Sequence, residues 1–504
     1  MKIFTAQQIR EADAYTIQHL PISSLDLMER AAGACTSWIC KHFMPNTSVY
    51  IYCGMGNNGG DGLAITRLLR NRGYNAHAYV LHHSEKASAD HAANREALLQ
   101  KYPEALHDLP NTTSIQEPPA NVLIVDAILG TGLSRPADGW IAGIIHQLQA
   151  LYAAHTIIAI DLPSGMQADS SSLNTPVVKA HHTLSFEFYK LAFLFPENAG
   201  ISGEVHILPI GLHPDYIEQT PTPFHISEES LIRTIYKPRS PFAHKGTYGH
   251  ALLVAGSEGK MGAAILSAKS CLRAGVGLLS CHVPKCGYTI IQIAVPPAMC
   301  IVDEQYDHSS GFQTDPSKYK VIGIGPGIGT AAGTAWALER LLEQYRQPMV
   351  LDADALNIIA ATPGLIDKVP KGSLLTPHPK EFERLFGKTA NNREQLQVLS
   401  HNAVEKGLCI LLKGRYTAMA FPDGSIYFNT TGNPGMATGG SGDVLTGILT
   451  SLLSQGYNSK DAMLMGVYIH GLAGDYAAET LSQEALTPED IIDYLGKSFL
   501  RLRA

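Results

Sequence analysis

The chain has 504 residues, too many for one ordinary hydrophobic core, so two or more domains are expected. Its 45% hydrophobic content excludes a disordered chain, and a net charge of −7 without a basic block argues against nucleic acid as a partner. No apolar run reaches the roughly 18 residues a membrane helix needs, so no membrane is expected.

The amino terminus, MKIFTAQQIREAD, lacks a basic segment followed by an apolar one, which predicts a cytoplasmic protein. None of the eight cysteines forms a C-x-x-C pair, so reduced core thiols are expected and a zinc site is not. From there, short apolar runs alternate with helical stretches. Strands are predicted at 48–54, 77–81, 121–126, 156–161, 182–186 and 204–210. A helix is predicted at 61–73, starting at Asp61 and stopping at Gly73. Continuous apolar strands alternating with helices indicate a parallel sheet covered on both faces.

Three segments of this first half stand at predicted strand ends. Cys53 to Gly62 reads CGMGNNGGDG, follows a strand and opens a helix, the arrangement of a phosphate-binding turn. The plain alternative is a tight turn with Asp61 as helix cap. Asp126-Ala-Ile-Leu-Gly-Thr-Gly-Leu133 and Asp161-Leu-Pro-Ser-Gly165 each end an apolar strand with a carboxylate. Two such ends beside a Gly-rich turn suggest a site at the carboxyl edge of the sheet. Lys190 reads as a surface lysine whose stem packs while its head reaches water.

Periodicity breaks in the proline-bearing stretch 213–241. The boundary is placed within 215–228, giving domains of 1–218 and 219–504. Alternation restarts with strands predicted at 251–255, 278–283, 320–325, 349–353, 373–377 and 409–413. Four segments follow such strands: Gly323 to Gly329, Leu351-Asp-Ala-Asp-Ala-Leu-Asn357, Thr376-Pro-His-Pro-Lys-Glu381 and Lys413-Gly-Arg-Tyr-Thr417. The most informative stretch comes last, Thr431 to Gly447, TGNPGMATGGSGDVLTG. Five glycines within Gly432 to Gly442 lead straight into an apolar helical run, which suits an anion held on a helix N-terminus. Asp443 is then either a helix cap or a general base beside a phosphate. A cap needs one residue rather than ten, which favours the base.

NPGMATGGSGDVLTG closely resembles the signature of ADP- or ATP-dependent NAD(P)H-hydrate dehydratases. Lys245, Gly246, Gly249, Leu252, Gly256 and Ser257, then GlyLysMetGlyAlaAla (259–264), GPGIG, LDADALN, TPHPKE and LLKG resemble further blocks of that family in order; Lys380 departs from it. GNNGGDG, DAILGTGL and DLPSG resemble the NAD(P)H-hydrate epimerase domain. The resemblance implies a Rossmann-like three-layer α/β/α domain followed by a ribokinase-like α/β/α domain. It implies two activities: interconversion of the epimers of hydrated NADH or NADPH, and removal of water from the S-form with ADP cleaved to AMP and phosphate.

The resemblance also assigns roles. Asp443 and Asp161 would be catalytic. Asn57, Asn58, Gly59, Gly60, Asp61, Gly130, Thr131, Gly132, Leu133, Ser134, Arg135 and Pro136 would bind substrate in the first domain, and Ala263, Gly325, Gly327 and His378 in the second. Lys413, Gly414, Arg415, Tyr416, Thr417, Gly440, Ser441 and Gly442 would bind nucleotide. Asn58, Asp126 and Ser164 would hold K+, and Mg2+ would serve the dehydratase. The partners are small molecules and further copies of the same chain, as a homo-oligomer. The competing reading is a ribokinase-like small-molecule kinase with an N-terminal binding module.

Overall fold

A computed structural model describes residues 1–111, 114–133, 135–311 and 314–503. The chain forms two compact units, one of residues 2–222 with 391–393, the other of residue 1, 223–390 and 394–504. No helix among the described residues is long and apolar enough to cross a membrane.

The first unit holds seven strands: β1 (Val49–Cys53), β2 (Ala76–Leu81), β3 (Leu106–Leu109), β4 (Leu123–Ala127), β5 (Ile157–Ile160), β6 (His182–Phe186) and β7 (Glu204–Leu208). They form one parallel sheet in the order β3-β2-β1-β4-β5-β6-β7. The order reverses between β1 and β4, so the crevice for a ligand lies beyond their carboxyl ends. Strands β4 and β5 are buried along their whole length, as expected of a sheet covered on both faces. Strand β3 has no counterpart among the predicted strands. Its sequence LeuHisAspLeu lies at the sheet edge and is largely solvated, so no continuous apolar run marks it.

The second unit holds β8 (Phe224–Ile226), β9 (His250–Val254), β10 (Leu278–Val283), β11 (Met299–Val302), β12 (Val321–Ile324), β13 (Val350–Leu351), β14 (Leu374–Leu375), β15 (Cys409–Leu412), β16 (Ala418–Ala420) and β17 (Ile426–Phe428). Their order is β11-β10-β9-β12-β13-β14-β15-β16-β17-β8, parallel except at β15–β16 and β16–β17. Strands β8, β11, β16 and β17 carry only three or four residues each and were not marked by the sequence pattern. The helix Ser441–Ser454 is buried over nearly its whole length. Gly447 lets it approach the helix Met261–Arg273: a Cβ there would stand 2.0 Å from Ser270 Oγ.

The helix expected to start at Asp61 starts at Asn57 and ends at Asn71, with Gly56 as N-cap. Asp61 is therefore neither a cap nor a loop residue; it sits in the second turn. The glycines serve close packing of that helix on the sheet. A Cβ on Gly59 would lie 1.8 Å from the Gly54 carbonyl oxygen, and one on Gly62 would lie 2.7 Å from Cys53 Sγ. Gly59→Ala is expected to destabilise the first unit by about 1–3 kcal/mol or more through overpacking, read as a lower denaturant midpoint at unchanged slope.

Candidate active sites

In the first unit the chain leaves β1, β4 and β5 at their carboxyl ends and delivers Asn58, Asp126 and Asp161 to one region. Asp161 adopts φ +64, an uncommon conformation that costs about 1–3 kcal/mol in a non-glycine residue. Its Oδ2 accepts the Thr131 N–H at 3.3 Å, and a Cβ on Gly130 would lie 3.3 Å from both that oxygen and the Asn58 side chain. Gly130 thus leaves room for the Asn58 and Asp161 side chains on either side of it. Asp126 is fully buried. Ser164 N–H donates to its Oδ2 at 2.7 Å, the Ser164 hydroxyl donates to Oδ1, and the Leu129 N–H donates to Ser164 Oγ at 2.8 Å. Burial pushes the Asp126 carboxyl up to about 6, against those hydrogen bonds. Asn58 Oδ1 and Nδ2 are buried with no hydrogen-bond partner among the described residues.

Lys190 is not a surface lysine. Its side chain is 0% exposed, and Nζ lies 2.7 Å from Asp161 Oδ1 while donating to Ser185 Oγ at 2.8 Å and the Phe186 carbonyl at 3.0 Å. A cation buried this completely persists because it is paired and hydrogen-bonded. Two further carboxyl groups face the pair electrostatically. Asp61 is pushed well above the carboxylate range by burial and then by Asp161. Burial and the charge of Asp161 raise Asp13 to about 7. Asp13, at about 7, is therefore close to half-protonated at neutral pH, and Asp61 holds its proton more tightly than an exposed carboxyl would, so the site can both give and take protons. Asn57, Gly59 and Gly60 lie in the opening turn of the same helix as Asp61, Gly132 and Leu133 continue the β4 loop, and Arg135 and Pro136 are exposed further along it. Ser134 lies outside the described residues.

In the second unit the four predicted segments follow β12, β13, β14 and β15, all at carboxyl ends. Gly440, at φ +105, is the N-cap of the helix Ser441–Ser454, so Asp443 lies inside the first turn rather than capping it. Burial, then the neighbouring Asp352, raises Asp443 to about 6, with Lys413 opposing. Asp352 is 1% exposed. It receives Lys413 Nζ at 2.7 Å and the Thr446 hydroxyl at 2.7 Å. Asp354 turns elsewhere and accepts the Gly329 N–H at 2.8 Å. Ala353 between them takes φ +48, another strained residue at the site.

A cavity of about 610 Å³ opens beside this helix start. His378, Lys413, Gly414, Arg415, Thr417, Ser441 and Gly442 line it, whereas Tyr416 and Gly440 do not. Arg415 donates to the Gly432 carbonyl at 2.9 Å, which ties the β15 loop to the Gly-rich loop. His378 caps the helix Pro379–Phe386, its Nδ1 accepting from Lys380 N–H at 3.1 Å, while Glu381 returns a bond from the His378 N–H at 2.9 Å. The Lys380 side chain is exposed. Ala263 and Gly327 approach one another, a Cβ at 327 falling 3.1 Å from Ala263 Cβ, and Gly325 passes against the Asp352 carbonyl.

Two family models match the chain: one described as NAD(P)H-hydrate dehydratase over residues 251–497, and one described as YjeF-related protein N-terminus over residues 24–192. The bifunctional NAD(P)H-hydrate repair enzyme Nnr of Moorella thermoacetica is 34% identical, covering 98% of this chain and 96% of the relative. The enzyme of the same name from Escherichia coli K12 is 31% identical over 98% and 93%. The chain belongs to the family of bifunctional NAD(P)H-hydrate repair enzymes. The crystal structure of the ADP/ATP-dependent NAD(P)H-hydrate dehydratase of Bacillus subtilis, co-crystallised with ATP and Mg2+, is similar at TM-score 0.50 and 31% identity, covering 55% of this chain and 98% of that one. The kinase reading gives way to this family.

Several residues of this repair-family chain were not singled out in the sequence. Asp13 lies beside the buried stripe Ile9, Ala12 and Thr16 of the helix Ala6–His19. A carboxylate at apolar spacing is a usable signal. His470 lines the cavity from the helix Ser459–Leu481; burial lowers it to about 4, and its Nε2 has no hydrogen-bond partner among the described residues. Asp475 of that helix accepts the Gly432 N–H at 2.8 Å and Asn433 Nδ2 at 3.0 Å, anchoring the Gly-rich loop. Nothing local in the sequence separates His470 and Asp475 from ordinary residues of a long helix.

Proposed function

We propose that the second unit removes water from hydrated NADH or NADPH at the expense of ADP, and that the first unit interconverts the two epimers so that both are repaired. The observation that carries the first part is Asp443, raised to about 6 at the start of a buried helix and beside a cavity of nucleotide size. Hydroxide is a poor leaving group. Asp443 takes the proton of the ring hydroxyl as that oxygen accepts the phosphoryl group of ADP, releasing AMP. The ring nitrogen then expels phosphate, and loss of a proton from the adjacent ring carbon to water restores the reduced nicotinamide. The N–H groups of Gly440, Ser441 and Gly442, at the helix start, bind the phosphoryl group. Lys413, Gly414, Arg415 and Thr417 bind the nucleotide, and neutral His470 offers its free Nε2 to it. Ala263, Gly325, Gly327 and His378 contact the hydrated ring.

Asp352, close enough to raise Asp443, offers the kind of hard oxygen donor that would hold Mg2+ together with phosphates. When bound, Mg2+ would neutralise phosphate charge. In the first unit the orphaned Asn58 Oδ1, the Asp126 carboxylate and Ser164 Oγ form an all-oxygen set that fits K+. There Asp161, held by Lys190, takes the hydroxyl proton as the ring carbon–nitrogen bond opens to an aldehyde, and Asp61 gives a proton to the departing nitrogen; attack of that nitrogen on the other face of the aldehyde reverses both transfers and gives the other epimer.

Mixing the protein with hydrated NADH and ADP, and in parallel ATP, tests the reading. The reduced-nicotinamide absorbance is expected to return fully with ADP, and more slowly with ATP. No return with either nucleotide would remove the dehydratase assignment.

A further inference from the structure

We propose that His182, Glu204 and His206 form a binding site for a divalent transition metal, Zn2+ among them, on the β6–β7 edge of the first sheet. Glu204 and His206 stand two residues apart on β7, so both project from one face. The parallel register places His182 of β6 opposite Glu204. The three donor atoms come together: His182 Nδ1 lies 3.2 Å from His206 Nε2, and Glu204 Oε2 lies 3.7 and 3.8 Å from them. A point equidistant from these three atoms lies about 2.1 Å from each, the bond length zinc makes to imidazole nitrogen and carboxylate oxygen.

The surroundings suit ligation. Both imidazoles pack on Trp38, with ring centroids 5.1 Å away for His182 and 4.7 Å for His206, and His42 stacks on the same Trp38 at 4.0 Å. Glu204 supplies one negative charge and is largely exposed, leaving a fourth position open to water. His182 and Glu204 begin their strands, whereas the substrate loops follow strand ends, so this site lies at the opposite edge of the sheet from Asp161. The metal would clip the edge strand β7 to β6 and take no part in the repair reactions.

Calorimetric titration of the full chain with Zn2+ alone tests this. One equivalent is expected to bind the unmodified protein and to raise its unfolding midpoint. His206→Gln and Glu204→Gln are each expected to weaken that equivalent at least tenfold and abolish the midpoint shift, with epimer interconversion unchanged as proof of folding. Co2+ in place of Zn2+ should give visible d–d absorption that both variants lose. The proposal is overturned if the unmodified chain binds no Zn2+, or if either folded variant binds it as tightly as before. Should His206→Gln fail to fold, the exposed Glu204→Gln decides alone.

Discussion

Asp443→Asn is expected to lower dehydratase turnover by about 10²–10⁴-fold, the usual contribution of a positioned general base, while nucleotide binding stays close to normal. On the proposed mechanism binding is retained, because the phosphoryl group would be held by backbone N–H groups at the helix start and by Lys413, which Asp352 fixes independently at 2.7 Å. The pH dependence has a definite sign. With a carboxyl raised to about 6, the base is ionised above that pH, so unmodified turnover should climb through pH 6 and then level, a limb the variant lacks. Stability moves the other way. A carboxyl raised on folding binds its proton more tightly folded than unfolded, so its ionisation destabilises the fold as pH rises through 3.8 to about 6. The neutral Asn avoids that term, and the variant should be more stable at pH 7, by up to about 3 kcal/mol. Near-normal turnover in Asp443→Asn would remove it from the base role.

Asp161→Asn is expected to split the repair time course in two. With ADP present, the S-form in a mixed sample should recover at the unmodified rate, and the remaining R-form about 10²–10⁴-fold more slowly than in the unmodified chain. A second consequence follows from Lys190, whose Nζ is 0% exposed and loses its ionic partner. Breaking one side of a buried pair costs about 3–5 kcal/mol, so unfolding of the first unit should move to lower denaturant while the dehydratase rate is unaffected. A single fast phase that consumes both epimers would sink the assignment of Asp161.

The strands that build the sites were legible because they are buried on both faces. β5, β12 and β15 are unbroken apolar runs and β4 is one up to Asp126, and the Asp, Gly or Lys assigned to the sites stands within or just after each. The edge strand β3 and the three-residue β8, β16 and β17 gave no such run, since their pairing depends on neighbours distant in sequence. The Gly-Asp turns were legible as helix starts, but not in register. GNNGGDG promises a cap at Asp61, whereas the helix already begins at Asn57, its Gly59 and Gly62 letting the backbone lie against the end of β1 and against β4.

By itself the sequence determined two α/β units, strand-end sites in each, and the family, because buried parallel strands and Gly-rich phosphate turns leave local patterns of composition. Only the tertiary structure decided what the charged groups do. Whether Lys190 reaches water or Asp161, whether Asp61 and Asp13 keep their protons, and whether Asp443 caps a helix or stands inside its first turn all depend on desolvation and on partners tens or hundreds of residues away. Coulomb interactions and burial act through space, and the order of residues along the chain does not encode them locally.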